Sequence, residues 1–117
     1  MKSFGSFVRS KRDGLAKKNK DFSLRKVASR IGVEPAFLSK VERGIASPPS
    51  EAKIIALAEA LGEDKDFLLA LGGKISSDLQ DIIKERPTLF AELIRRLKEE
   101  PDHAVLKIVR EVTDGDW

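Results

Sequence analysis

The sequence predicts an all-α protein. Apolar residues recur at i, i+3 and i+4 along most of the chain, glycines and prolines divide it into segments of helical length, and no stretch shows the alternation of a half-buried strand. Phe4, Phe7, Val8 and Leu15 mark a first helix from about Ser3 to about Lys18, and "KKNKDF" (Lys17 to Phe22) breaks its pattern as a charged connection. Ser23 is placed to cap a second helix, Leu24 to Ile31, whose Leu24, Val27, Ala28 and Ile31 share one face. Gly32 ends it. Pro35 opens a third helix, because its missing N–H has no partner in a first turn anyway, and Gly44 closes that helix. "IASPPS" (Ile45 to Ser50) is a loop; Ser50 then caps a fourth helix to Leu61, stopped by Gly62. A short fifth helix, about Lys65 to Leu71, ends at Gly72-Gly73, the best domain boundary in the chain. Three further helices follow: Asp78 to Glu85, introduced by Ser77-x-x-Gln80 with capping-box spacing, Thr88 to Glu99, and Asp102 to Val112. The expected division is residues 1–73 and 74–117.

Composition narrows the function classes. With 117 residues, 41% hydrophobic and 35% charged, the chain suits one compact domain with an appendage. No apolar run approaches the ~18 residues of a membrane span, and the opening Met-Lys-Ser-Phe starts no signal-peptide core, so a cytoplasmic location is expected. Cysteine is absent, which excludes disulfides and thiolate chemistry. The net charge of +3 conceals an asymmetry: residues 1–43 hold twelve Lys/Arg against four Asp/Glu, a net of +8, and the rest holds ten against fifteen, a net of −5. A basic first third is the electrostatic footprint of a polyanion-binding face.

Two helices joined by a short turn containing glycine form a helix-turn-helix, whose second helix enters the DNA major groove. That geometry demands apolar residues where the helices face each other, a small residue at their closest approach and glycine in the turn. Val27, Ile31, Val33, Leu38 and Val41, then Ala28, then Gly32 meet the demand. Pro35, Ala36, Phe37, Ser39, Lys40 and Arg43 are left on the first turn or outward face of the third helix. Phe37 suits a thymine methyl, Ser39 a base edge or phosphate, Lys40 guanine O6/N7, and Arg43 a phosphate.

The stretches "SLRKVASRIGVEPAFLSKVERG" (Ser23 to Gly44), "SPPS", "LAEALGEDKDFLLALGG" (Leu57 to Gly73) and "VRSKR" (Val8 to Arg12) together resemble the Xre-type, lambda- and 434-repressor-like helix-turn-helix regulators. The resemblance implies a five-helix DNA-binding domain over residues 1–73, and the tail also resembles a C-terminal extension found on some members. It further implies base reading by Pro35, Ala36 and Lys40 with Phe37 and Ser39 adjacent, and a phosphate contact at Arg43. Arg12 and Glu42 match a structural ion pair between the first and third helices. Leu24 stands where many relatives carry a phosphate-binding Gln, so that contact is either lost or supplied by Arg25, Lys26 or the Ser23 backbone. The long connection adds Lys17, Lys18 and Lys20 as a phosphate clamp, and Ser47 joins the expected phosphate contacts. Pro35 and Ala36 replace long polar readers, so part of the specificity is expected from DNA shape.

The remaining residues favour no other chemistry. His103 is the only histidine and no cysteine accompanies it, so no metal, cofactor or enzymatic activity is expected. The expected partner is double-stranded operator DNA, bound by a bacterial or phage regulator associated with the nucleoid. The tail carries apolar surplus at Phe90, Leu93, Ile94, Leu97, Val105, Ile108 and Val109, with Trp117 at the end. Either the tail packs back on the fifth helix or it joins a second subunit; homodimerisation is assigned to the tail and the fifth helix, since two-fold regulators read half-sites about 34 Å apart. The alternative is an antitoxin or peptidase-regulated repressor whose tail binds a toxin or metallopeptidase.

Overall fold

The computed structural model describes residues 3–114, with side chains through Val112, and divides into two units after Ser77. Among the described residues there are eight α-helices and no strand: α1 Phe4–Ala16, α2 Leu24–Ile31, α3 Pro35–Glu42, α4 Glu51–Leu61, α5 Lys65–Leu71, α6 Ser77–Glu85, α7 Pro87–Leu97 and α8 Asp102–Asp114. None is long and apolar enough to cross a membrane. The first unit is built around α4, which packs on α5, α2 and α1, while α3 packs on α1 and α2. One core results, from Phe4, Val8, Val27, Ala28, Ile31, Leu38, Val41, Ile54, Leu57, Ala58, Leu61, Leu68 and Leu69. Each large member contributes about 1.5–3 kcal/mol by leaving water, before the entropy of ordering the chain is charged against it.

Several boundaries shift from the sequence expectation for local reasons. Ser3 is a cap rather than the first residue of α1: its backbone is extended and its side chain accepts the Ser6 N–H at 3.2 Å. The Lys17–Phe22 connection contains a 3-10 turn at Lys20–Phe22, introduced by Asn19, whose side chain accepts the Asp21 N–H at 2.9 Å. α3 stops at Glu42, and Gly44 follows in the left-handed region at φ 75°. Ser77 is the first residue of α6, and its N–H and Oγ donate to the Glu51 carboxylate at 2.9 and 2.7 Å. α7 starts at Pro87, which fixes a helical φ without needing an N–H partner, and ends at Leu97, two residues short of the expected Glu99.

The second unit has a different character. No residue from Asp78 to Val112 is buried. Leu79, Ile82, Leu89, Leu93, Ile94, Leu106, Ile108, Val109 and Val112 are each more than a third exposed, and Phe90, Leu97 and Val105 are half-buried. Trp117 lies outside the described residues. The helices are amphipathic, as their spacing predicts, but these residues close no core of their own.

Candidate nucleic-acid interface

The first requirement for presenting a helix is that its base be rigid. Ser23 caps α2 through its Oγ, which accepts the Lys26 N–H at 3.2 Å. At the other end Gly32 takes φ 74°, a left-handed conformation that a side chain would disfavour, and the Val33 N–H closes onto the Ala28 carbonyl at 3.0 Å. Lys53 of α4 completes that terminus. Its Nζ donates to the carbonyls of Ile31 and Gly32 at 3.0 and 3.3 Å, placing a cation at the negative end of α2. The turn is thereby tied to the centre of the domain.

α3 is held just as firmly on its inner side. Leu38 and Val41 are buried, and Arg12 of α1 grips Glu42 with a two-pronged pair, Nε to Oε2 at 2.7 Å and Nη2 to Oε1 at 2.9 Å. Both side chains are almost fully buried. The Glu42 hydrogen bond, opposed by burial and assisted by the Glu42 and Asp13 charges, raises the Arg12 pKa above that of an ordinary guanidinium. Arg12 Nη1 also donates to the Phe22 carbonyl at 3.3 Å, so the same guanidinium anchors the connector. Gly5 permits the contact between α1 and α3: a Cβ there would stand 2.2 Å from the Val41 carbonyl oxygen.

What faces outward follows from helical geometry. At 100° per residue, Ala36, Lys40 and Arg43 form a stripe at i, i+4 and i+7 opposite the buried Leu38 and Val41. All three are exposed. Pro35 and Ser39 border the stripe on one side and are half-buried; Phe37 borders it on the other, 37% exposed. Arg43 is steadied by a bond from its Nε to the Ser39 carbonyl at 3.3 Å.

The expected phosphate contacts occupy varied settings. Lys17, Lys18 and Lys20 are exposed on a connector that is more ordered than an open loop. Arg30 stacks over the Phe22 ring at 4.8 Å and donates to the Asp21 carbonyl, closing the connector onto α2. Arg25, Lys26 and Ser47 are exposed. The backbone of Ser23 is less available than the sequence suggests. Its N–H donates to Lys20 at 3.1 Å, so the first-turn amides of α2 and the side chains of Arg25 and Lys26 are better placed to donate outward. Arg9 was missed by sequence reasoning. It lines, with Arg12, Asp13, Leu24, Ser39, Glu42 and Arg43, a pocket of about 170 Å³ beside α3. Its presence in "VRSKR", one turn from the buried Arg12, was the available signal. No cluster of three potential metal ligands occurs among the described residues.

Comparison with known proteins agrees with this geometry. Residues 15–68, from the end of α1 into α5, match the family model described as helix-turn-helix. No curated protein and no solved structure gives a significant match. That segment is thus similar to the helix-turn-helix domains of Xre-type, lambda-repressor-like DNA-binding regulators.

Proposed function

We propose that this regulator binds a specific double-stranded operator as a homodimer and represses transcription, with α3 in the major groove. The observation that carries the reading is the division of α3: one face is locked by Leu38, Val41 and the Arg12–Glu42 pair, while Ala36, Lys40 and Arg43 are exposed. Lys40 is the main hydrogen-bonding reader, towards guanine O6/N7, with Ala36, Pro35 and Phe37 supplying apolar contact and Ser39 a short polar one. Arg43, Arg25, Lys26, Ser23, Ser47 and the connector lysines 17, 18 and 20 engage phosphates and fix the register. Arg9 joins them. The short side chains at positions 35 and 36 leave room for specificity through DNA shape. A regulator acting in this way would work in the cytoplasm, on the nucleoid.

Selection of bound sequences from a random duplex library tests this directly. Two inverted half-sites with centres about one helical turn apart are expected, and binding should weaken steeply with salt as counterions are released. Recovery of single, unpaired sites would remove the two-fold operator from the proposal, and salt-insensitive binding would remove the phosphate contacts. The exposed apolar residues beyond Ser77 also support a second reading, an antitoxin or peptidase-regulated repressor whose tail holds a partner protein. Co-purification of a toxin or metallopeptidase with the intact chain, lost on removal of residues 78–117, favours that reading.

A further inference from the structure

We propose that a second copy of this chain covers the exposed face of α7, paired antiparallel with it about a two-fold axis at Leu93. The proposal rests on the homodimer reading and adds the surface and its register. Leu89 and Leu93 are 64% and 43% exposed, with Ile94 beside them at 56%, and the half-buried Leu97 continues the row at i, i+4 and i+8. Three residues before the row stands Arg86, the N-cap of α7, and three after it stands Glu100. The Glu100 N–H bonds to the Leu97 carbonyl at 3.1 Å, so the chain there still follows the helix end. Both side chains are exposed and neither forms an ion pair among the described residues.

The row Arg86, Leu89, Leu93, Leu97, Glu100 is symmetric in spacing about Leu93 and opposite in charge at its ends. A two-fold axis that reverses the helix direction therefore sets Leu93 against Leu93, Leu89 against Leu97, and Arg86 against Glu100, twice over. A parallel pairing would set Arg86 on Arg86 and Glu100 on Glu100, which like-charge repulsion disfavours. Self-complementarity of this kind is what an isologous interface requires.

The chain has no cysteine, so introduced thiols report without background. In the full-length protein without DNA, Leu93→Cys should form a covalent dimer under mild oxidation. Leu89→Cys and Leu97→Cys should each cross-link poorly alone and readily when the two are mixed, because each residue lies about 12 Å along the helix from its own copy. Arg86→Glu should raise the dimer dissociation constant roughly tenfold by sedimentation, and adding Glu100→Arg should restore it. A monomeric wild type, a dimer in which Leu93→Cys fails to cross-link, or an unrescued Arg86→Glu defect overturns the pairing. DNA binding is measured on the same preparations. If it persists while the cross-link pattern fails, the pairing is wrong and the regulator reading stands. If it is absent while the pattern appears, the regulator reading is wrong and the pairing stands.

Discussion

At residue scale the Arg12–Glu42 pair and two glycines carry the sharpest consequences. Glu42→Ala leaves a buried guanidinium without its partner, a loss of about 3–5 kcal/mol for such pairs, readable as a lowered denaturation midpoint. Replacing both residues by methionine should cost less than either single change, since no charge is then stranded. The raised Arg12 pKa sets the pH dependence. Stability from this group is fully present below the ordinary guanidinium range and is lost only as pH rises through the higher folded value. The difference in stability between wild type and the double methionine variant should therefore stay flat from about pH 6 to 9. Gly5 and Gly14 sit in the same helix with opposite expectations. Gly5→Ala drives a Cβ into the backbone of α3 and should destabilise by about 1–3 kcal/mol. Gly14→Ala meets nothing within 4 Å and should stabilise by about 0.5–1 kcal/mol through helix propensity alone, measured by the same denaturant titration.

At the scale of elements, what matters is how the α2–α3 turn is held. Lys53 reaches from α4 to the C-terminal carbonyls of α2, so Lys53→Met keeps the aliphatic stem and removes the cap. A loss of about 1 kcal/mol is expected, with faster amide exchange around Val33 as the local signature; unchanged exchange there would assign Lys53 no role in the turn. The outward stripe of α3 gives a different kind of prediction. Lys40→Ala should weaken operator binding by about 1–3 kcal/mol and relax preference at one base position of each half-site. Lys18→Ala should weaken specific and non-specific binding alike and reduce the salt slope by about one. Much of this was legible beforehand. The spacing of Val27, Ala28, Ile31, Gly32 and Leu38 sets the inner faces, because a helix with fixed periodicity allows few ways to bury them together. The order in the connector was not legible: the turn at Lys20–Phe22 depends on Arg12 and Arg30 reaching it from α1 and α2.

Over the whole molecule, the two units obey different rules. The first has a closed core and its own capping, so removing residues 78–117 should leave its unfolding cooperative while abolishing any dimer formed through α7. Calorimetry and sedimentation on the shortened chain check both halves of that expectation. By itself the sequence determined the all-α class, the order of the helices to within a residue or two at most ends, the basic bias of the first third and which side of α3 is apolar. These are local properties, set by periodicity, capping residues and composition. Only the tertiary structure decided that Lys53 closes α2, that Gly5 lets α1 approach α3, that the Ser23 N–H is already bonded, and that Arg9 lies beside α3. It alone also leaves Arg86, Leu89, Leu93 and Glu100 exposed. Each depends on groups distant in sequence meeting in space, and a hydrophobic pattern states that a face must be buried without stating against what.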